Sequence, residues 1–280
     1  MVRSYNEIIS VIGDELEGID TVILENIQYP TSDLREFLSS SGKKIRPALM
    51  FLFLKMFGCE IGTKQFDLAS SVELAHNASL IHDDIIDMSK IRRKTETFEI
   101  RFDTKTAVMT GDYLLSLAFK KFLKIGNNEI IKGFVETFSK MSRGEIDEFF
   151  DKFKIPTPEK YIEKTINKTA CLFEIALTNS AILANEDEKL WGDFGLNFGI
   201  AFQIKNDLDN FYGDNSDIKN GIYTAPVIYS GSYDVTQEGI QKTKLLINNY
   251  IQKASEILKT CPDNKYRKAL EDIMELYINE

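Results

Sequence analysis

The sequence predicts an all-α fold, on three observations. Apolar residues recur at three- and four-residue spacing along most of the 280 positions, which is the period of a helix face. No segment alternates apolar and polar residues long enough to read as a strand. Six prolines and sixteen glycines are few enough to leave long stretches without a breaker.

The elements follow in order. Helices are predicted over 3–27 and 32–40, parted at Tyr29-Pro30 and closed by Ser41-Gly42. The helix over 45–57 stops at Gly58, and one over 64–88 follows it. Helices over 105–123 and 127–150 meet at Gly126-Asn127. Pro156 and Pro158 open a helix over 158–184, and the next, 187–212, ends at Gly213-Asp214. Helices over 223–230, 236–259 and 264–278 complete the chain, the last two parted at Cys261-Pro262. The runs from Leu49 to Leu54 and from Cys171 to Leu177 are apolar on more than one face. Neighbouring helices must bury such runs, as in a large bundle, unless part of them lines an apolar tunnel or a subunit interface. No Gly/Ser/Pro linker or shift of composition interrupts the chain, so a single domain over 1–280 is expected.

Composition narrows the function. Acidic residues outnumber basic ones 43 to 34, for a net charge of −9. That balance argues against nucleic-acid binding and requires locally placed cations for any anionic substrate. Cys59, Cys171 and Cys261 are odd in number and widely spaced, which fits a reducing compartment. The start lacks the apolar core of a signal peptide, and the longest apolar stretch, Pro47 to Phe57, includes Lys55 and is too short to span a bilayer. A cytoplasmic chain without a transmembrane segment is the expectation.

Chemistry concentrates in two runs about 120 residues apart. His82-Asp83-Asp84-Ile85-Ile86-Asp87 is followed by Arg92-Arg93, and Gln203 leads into Asn206-Asp207-Leu208-Asp209-Asn210. On a helix, Asp83/Asp87 and Asp84/Asp87 are neighbours roughly 5–6 Å apart at Cβ. Clustered carboxylates repel one another unless cations neutralise them. Oxygen-only donors that leave room for water and phosphate suit Mg²⁺, and arginine forks suit phosphate oxygens. A metal-bridged diphosphate is the ligand this pattern anticipates. Taken alone, an Asp-Asp-x-x-Asp is more often a solvated helix end, and Lys43-Lys44-Ile45-Arg46 a solvated helix start. The case rests on their combination.

In that combination the chain resembles the trans-isoprenyl diphosphate synthases, the polyprenyl synthetase family. The resemblance runs from Gly42 to the C-terminal helices. It is carried by Gly42-Lys43-Lys44-Ile45-Arg46-Pro47, by Ser79 to Asp87 with Arg92-Arg93, by Gly111-Asp112-Tyr113-Leu114, by Lys168-Thr169 and by Phe202-Gln203-Ile204. It implies an isoprenoid-synthase helical bundle around a central cavity, working as a homodimer. It also implies two or three Mg²⁺ ions, and isopentenyl diphosphate and an allylic prenyl diphosphate as substrates. At matching positions, Asp83 and Asp87, supported by Asp84, would ligate Mg²⁺, with Asp207 contributing from the second run. Arg92 would hold the allylic diphosphate. Lys43, Arg46, His76 and Arg93 would hold that of isopentenyl diphosphate. Lys168, Thr169 and Gln203 would line the space where the allylic cation forms. Ala78 and Ser79, about one turn before Asp83, are small, which implies an open tunnel and a product of geranylgeranyl length or longer. Leu115, Leu117, Phe134 and Phe138 are candidates for its floor.

The second run departs from the family pattern. Only Asp207 is a carboxylate among the three aligned positions, 206, 207 and 210, and Ile222 stands where the family usually has lysine. Lys219 or Lys205 would have to supply that cation. Three activities remain open: an active prenyltransferase, a non-catalytic or regulatory subunit of a hetero-oligomeric synthase, and a prenyltransferase acting on a peptide acceptor.

Overall fold

The computed structural model describes residues 3–27, 42–92, 95–213 and 215–279. The predicted helix 32–40, the break at Tyr29-Pro30 and the site residue Arg93 lie outside them. The described elements, in chain order, are α1 (Tyr5–Ile9), α2 (Gly13–Asn26), α3 (Ile45–Met56), α4 (Thr63–Ile86), α5 (Phe98–Arg101), α6 (Thr104–Ile125) and α7 (Asn128–Asp151). Then come α8 (Pro158–Thr165), α9 (Cys171–Ala184), α10 (Glu188–Tyr212), α11 (Ser216–Lys219), α12 (Ala225–Ser230), α13 (Gln237–Leu258) and α14 (Lys265–Asn279). The expected all-helical class holds. Among the described residues its one addition is a hairpin pairing Ile91–Arg92 with Thr95–Glu96, whose two-residue strands are too short to leave an alternating pattern. The chain falls into two compact units, Ile12–Ile131 and Met1–Val11 with Lys132–Glu280.

In the first unit, α3 is apolar all round and is buried accordingly, with Leu49 to Leu54 at most 1% exposed. Its two ends are tied to α2 by ion pairs, Lys44 to Asp20 and Lys55 to Glu15. A buried pair, Lys121 Nζ to Asp67 Oδ1 at 2.9 Å, joins α6 to α4. Gly126 ends α6 in the left-handed region (φ 72°), where its missing Cβ carries no steric penalty.

The second unit is organised by α9 and α10. A Cβ on Gly199 would lie 2.8 Å from the Ala170 Cα, and one on Gly195 2.5 Å from the Phe173 carbonyl oxygen, so these glycines permit the close approach of the two helices. Phe173, Phe198 and Phe202 fill the remaining space with mutually tilted rings. The helix expected over 158–184 is continuous but not uniform. Ile166–Ala170 winds as a π-helix between α8 and α9. Such single turns insert a residue and re-aim the side chains beside them.

Candidate active site

In the first unit the carboxylates gather where α4 ends. Asp83 and Asp84 lie in its last turn and Asp87 is its C-cap, with the Asp87 amide donating to the Asp83 carbonyl at 2.8 Å. The carboxyl end of a helix is its negative pole, and the last turn of α4 carries no basic residue. Three acids there oppose the dipole, an arrangement that makes sense beside an external cation. Asp84 is 1% exposed, and Arg92 Nε donates to its Oδ1 at 2.7 Å, so this acid holds the arginine in place. Asp83 and Asp87 keep partial exposure. His82 packs edge-on to α6, its Nε2 3.3 Å from the Val108 carbonyl oxygen and 3.4 Å from Asp112 Oδ1. A Cβ on Gly111 would lie 2.3 Å from that nitrogen, so glycine is required there.

The other residues expected in this unit are dispersed in their burial. Lys43 is exposed in the segment ahead of α3, Arg46 is 5% exposed within it, and His76 is half-buried on α4. Among the described residues no three His, Cys, Asp or Glu side chains already converge as a metal cage. The donor set nevertheless suits Mg²⁺, which keeps several waters and needs only one or two carboxylates plus phosphate oxygens.

In the second unit the π turn presents Lys168 and Thr169. Lys168 Nζ meets Glu145 at 3.0 Å and Glu148 Oε1 at 2.7 Å, both on α7. Thr169 Oγ1 donates to Gln203 Oε1 at 2.9 Å, and Gln203 Nε2 donates to Asp207 Oδ1 at 2.7 Å. Tyr161 Oη completes the chain by donating to Asp207 Oδ2 at 2.5 Å. Burial, reinforced by the Asp207 charge, pushes the Tyr161 pKa well above its ordinary value, so the tyrosine keeps its proton. Burial also raises Asp207, against the lowering effect of its two donors. Thus Lys168, Thr169, Gln203 and Asp207 are brought together, while Lys219 is exposed at the end of α11.

The altered second run has acquired internal duties. Asn206 is exposed, and Lys205 is spent on Asp209 at 2.6 Å. Asn210 uses both ends of its amide to hold α11, donating to Ser216 Oγ and accepting from the Asp217 amide.

Four participants escaped the sequence reading: Glu148, Tyr161, Lys164 and Asp217. Glu148 is buried, yet Lys168 and Lys164 outweigh the cost of that burial and hold its carboxyl at a pKa of about 2. Asp217 is pushed up to about 7 by burial and by the negative charges of Asp207 and Glu148. Only the spacing of Lys164, four residues before Lys168 and so on the same helix face, was a usable signal.

Of the two small residues expected to line the tunnel, Ala78 is fully buried and Ser79 remains partly exposed.

The model of the polyprenyl synthetase family matches residues 29–263. The chain belongs to the polyprenyl synthetase family. As a member of it, the protein is a prenyltransferase of the trans-isoprenyl diphosphate synthase type. It is 28% identical to heptaprenyl diphosphate synthase component 2 of Geobacillus stearothermophilus, over 97% of both chains. It is also 28% identical to octaprenyl diphosphate synthase of Escherichia coli K12, over 81% of this chain and 75% of that one. In fold it superposes on heptaprenyl diphosphate synthase of Staphylococcus aureus with a TM-score of 0.89, covering 100% of this chain and 99% of the other at 24% identity. The family's all-α architecture is therefore shared, and no described helix of this family member is long and apolar enough to cross a membrane.

Proposed function

We propose that this family member is an active prenyltransferase that condenses isopentenyl diphosphate with an allylic prenyl diphosphate, giving a product longer than geranylgeranyl diphosphate. The observation that carries the reading is the end of α4, where Asp83 and Asp87 oppose the helix dipole and Asp84 fixes Arg92. Product length is supported by the heptaprenyl and octaprenyl synthases among the relatives.

Asp83 and Asp87 would hold Mg²⁺, with Asp207 contributing in the second unit. Bound there, the metal supplies charge neutralisation for a diphosphate leaving group. Arg92, held by Asp84, would orient the allylic diphosphate through its remaining guanidinium donors. Lys43, Arg46, His76 and Arg93 would orient isopentenyl diphosphate, following the resemblance. Lys168 and the Thr169–Gln203 pair would face the allylic carbon as its C–O bond breaks heterolytically and the electron pair leaves with diphosphate. The isopentenyl double bond then attacks that carbon, and a proton passes to the departing diphosphate. The protein provides no nucleophile; it excludes water that would quench the cation.

One domain over 1–280 is part of the proposal, supported by a single family match that crosses the division between the two units. So are a cytoplasmic setting and a homodimer, which light scattering tests. Purified chain incubated with isopentenyl diphosphate, farnesyl diphosphate and Mg²⁺ is expected to yield elongated product. No product at high enzyme concentration overturns the reading. It would favour a second one, a subunit that needs a partner, which the name of the component 2 relative supports.

A further inference from the structure

The second unit contains a pocket walled by α7 at Gly144 and Glu148, by α8 and the π turn at Lys164 and Asn167, and by the loop at Ile222 and Tyr223. Its shape depends on a local contact. The Phe153 amide donates to the Gly221 carbonyl at 2.7 Å, and Gly221 (φ +75°) has the Phe153 ring where a Cβ would sit, 2.6 Å away. The loop is therefore pinned against the end of α7, with Ile222 on the pocket wall.

At its wall, Lys164 shares one acid, Glu148, with Lys168, which stands one turn further along beside the lining. Glu148 Oε1 lies 2.7 Å from Lys168 Nζ, and Glu148 Oε2 lies 2.8 Å from Lys164 Nζ. The charge of Lys164 also reaches Asp207 and Asp217. An ammonium has three donors, and Glu148 occupies one on Lys164. The two cations expected to replace the lysine missing at 222 are unsuited. Lys205 is 7% exposed and committed to Asp209, and Lys219 is exposed outside the pocket lining. Lys160, at the pocket edge, is bound to Asp151 at 2.7 Å.

We propose that Lys164 supplies the cation that Ile222 cannot, binding together with Lys168 the diphosphate group of the allylic substrate. The two lysines sit one helical turn apart and are held by a shared carboxylate, so neither has to be ordered when the anion arrives. This proposal rests on the prenyltransferase reading above and deepens it.

The test compares wild type with Lys164→Ala, Lys164→Arg and Lys164→Ala/Ile222→Lys. Steady-state KM is measured for each substrate at saturating Mg²⁺, with thermal melting as the check on folding. Loss of a charge-assisted contact is expected to raise KM for the allylic diphosphate about 10- to 100-fold. KM for isopentenyl diphosphate should stay near that of wild type, Lys164→Arg should retain most affinity, and Ile222→Lys should recover most of what Lys164→Ala loses. An unchanged allylic KM, an equal rise for both substrates, or no recovery in a folded double variant overturns the proposal. If the wild type forms no product, the prenyltransferase reading fails by itself. Lys164 is then judged by calorimetry with magnesium pyrophosphate: weaker binding by Lys164→Ala sustains the anion site, and equal binding sinks it.

Discussion

Tyr161 holds Asp207 through a 2.5 Å hydrogen bond between two buried side chains, the tyrosine hydroxyl donating. The bond ties α8 to α10 at the one carboxylate remaining among the three aligned positions of the second run. Tyr161→Phe removes a donor from a buried acid and leaves the ring in place. A destabilisation of about 1–3 kcal/mol is expected in urea unfolding, and Asp207→Asn in the Tyr161→Phe background should recover part of it. Unaltered stability of Tyr161→Phe would mean the bond contributes nothing.

Asp83 and Asp207 are expected to differ in catalytic weight. Asp83 retains exposure at the end of α4, whereas Asp207 is already engaged by Tyr161 and Gln203. Asp83→Ala should lower kcat/KM by on the order of a thousandfold or more, and Asp207→Ala by much less. Equal losses in the two variants would contradict the division of roles drawn here.

Glu148 and Asp217 of the second unit should give metal-free protein a two-sided pH dependence. Glu148 titrates at about 2 when folded, below its ordinary 4.5, so its contribution is present above 4.5 and is lost as pH falls toward 2. Asp217 is raised to about 7 from 3.8, so its contribution is complete below 3.8 and is lost as pH rises through 7. Thermal melting against pH should therefore show Glu148→Gln flattening the acid limb. Asp217→Asn should flatten the alkaline limb. An alkaline limb identical in wild type and Asp217→Asn would remove Asp217 from the account.

Ser79, not Ala78, is the position from which product length should be adjustable. Ala78 is fully buried, so Ala78→Phe overpacks the first unit and should mainly lower Tm. Ser79 keeps surface, its hydroxyl bonded to the His76 carbonyl at 2.9 Å. Ser79→Phe is expected to shorten the prenyl chain, read by chromatography of the dephosphorylated products. An unchanged distribution from a folded variant would move the tunnel elsewhere.

Much of this protein was legible before folding. Helical period and punctuation located α3, α4, α6, α7, α10, α13 and α14 to within a few residues, because Gly58, Gly126 and Pro158 end or begin helices through local backbone sterics. The spacing of Asp83, Asp84 and Asp87 is equally local, since one helical turn alone brings them together. The two-residue hairpin and the π turn left no trace, one being too short for a pattern and the other a matter of which carbonyl an amide selects.

The sequence by itself determined the helical class and the acidic end of α4, which depend on residues within a few turns of one another, and the family, which rests on the order of motifs along the chain. Tertiary structure alone decided that Asp84 secures Arg92, that Tyr161 secures Asp207, and that Glu148 gathers Lys164 and Lys168. Charged side chains on α7 and α8 look like solvated faces in one dimension. Only when another helix excludes water does the cost of burying a lone charge force them to pair.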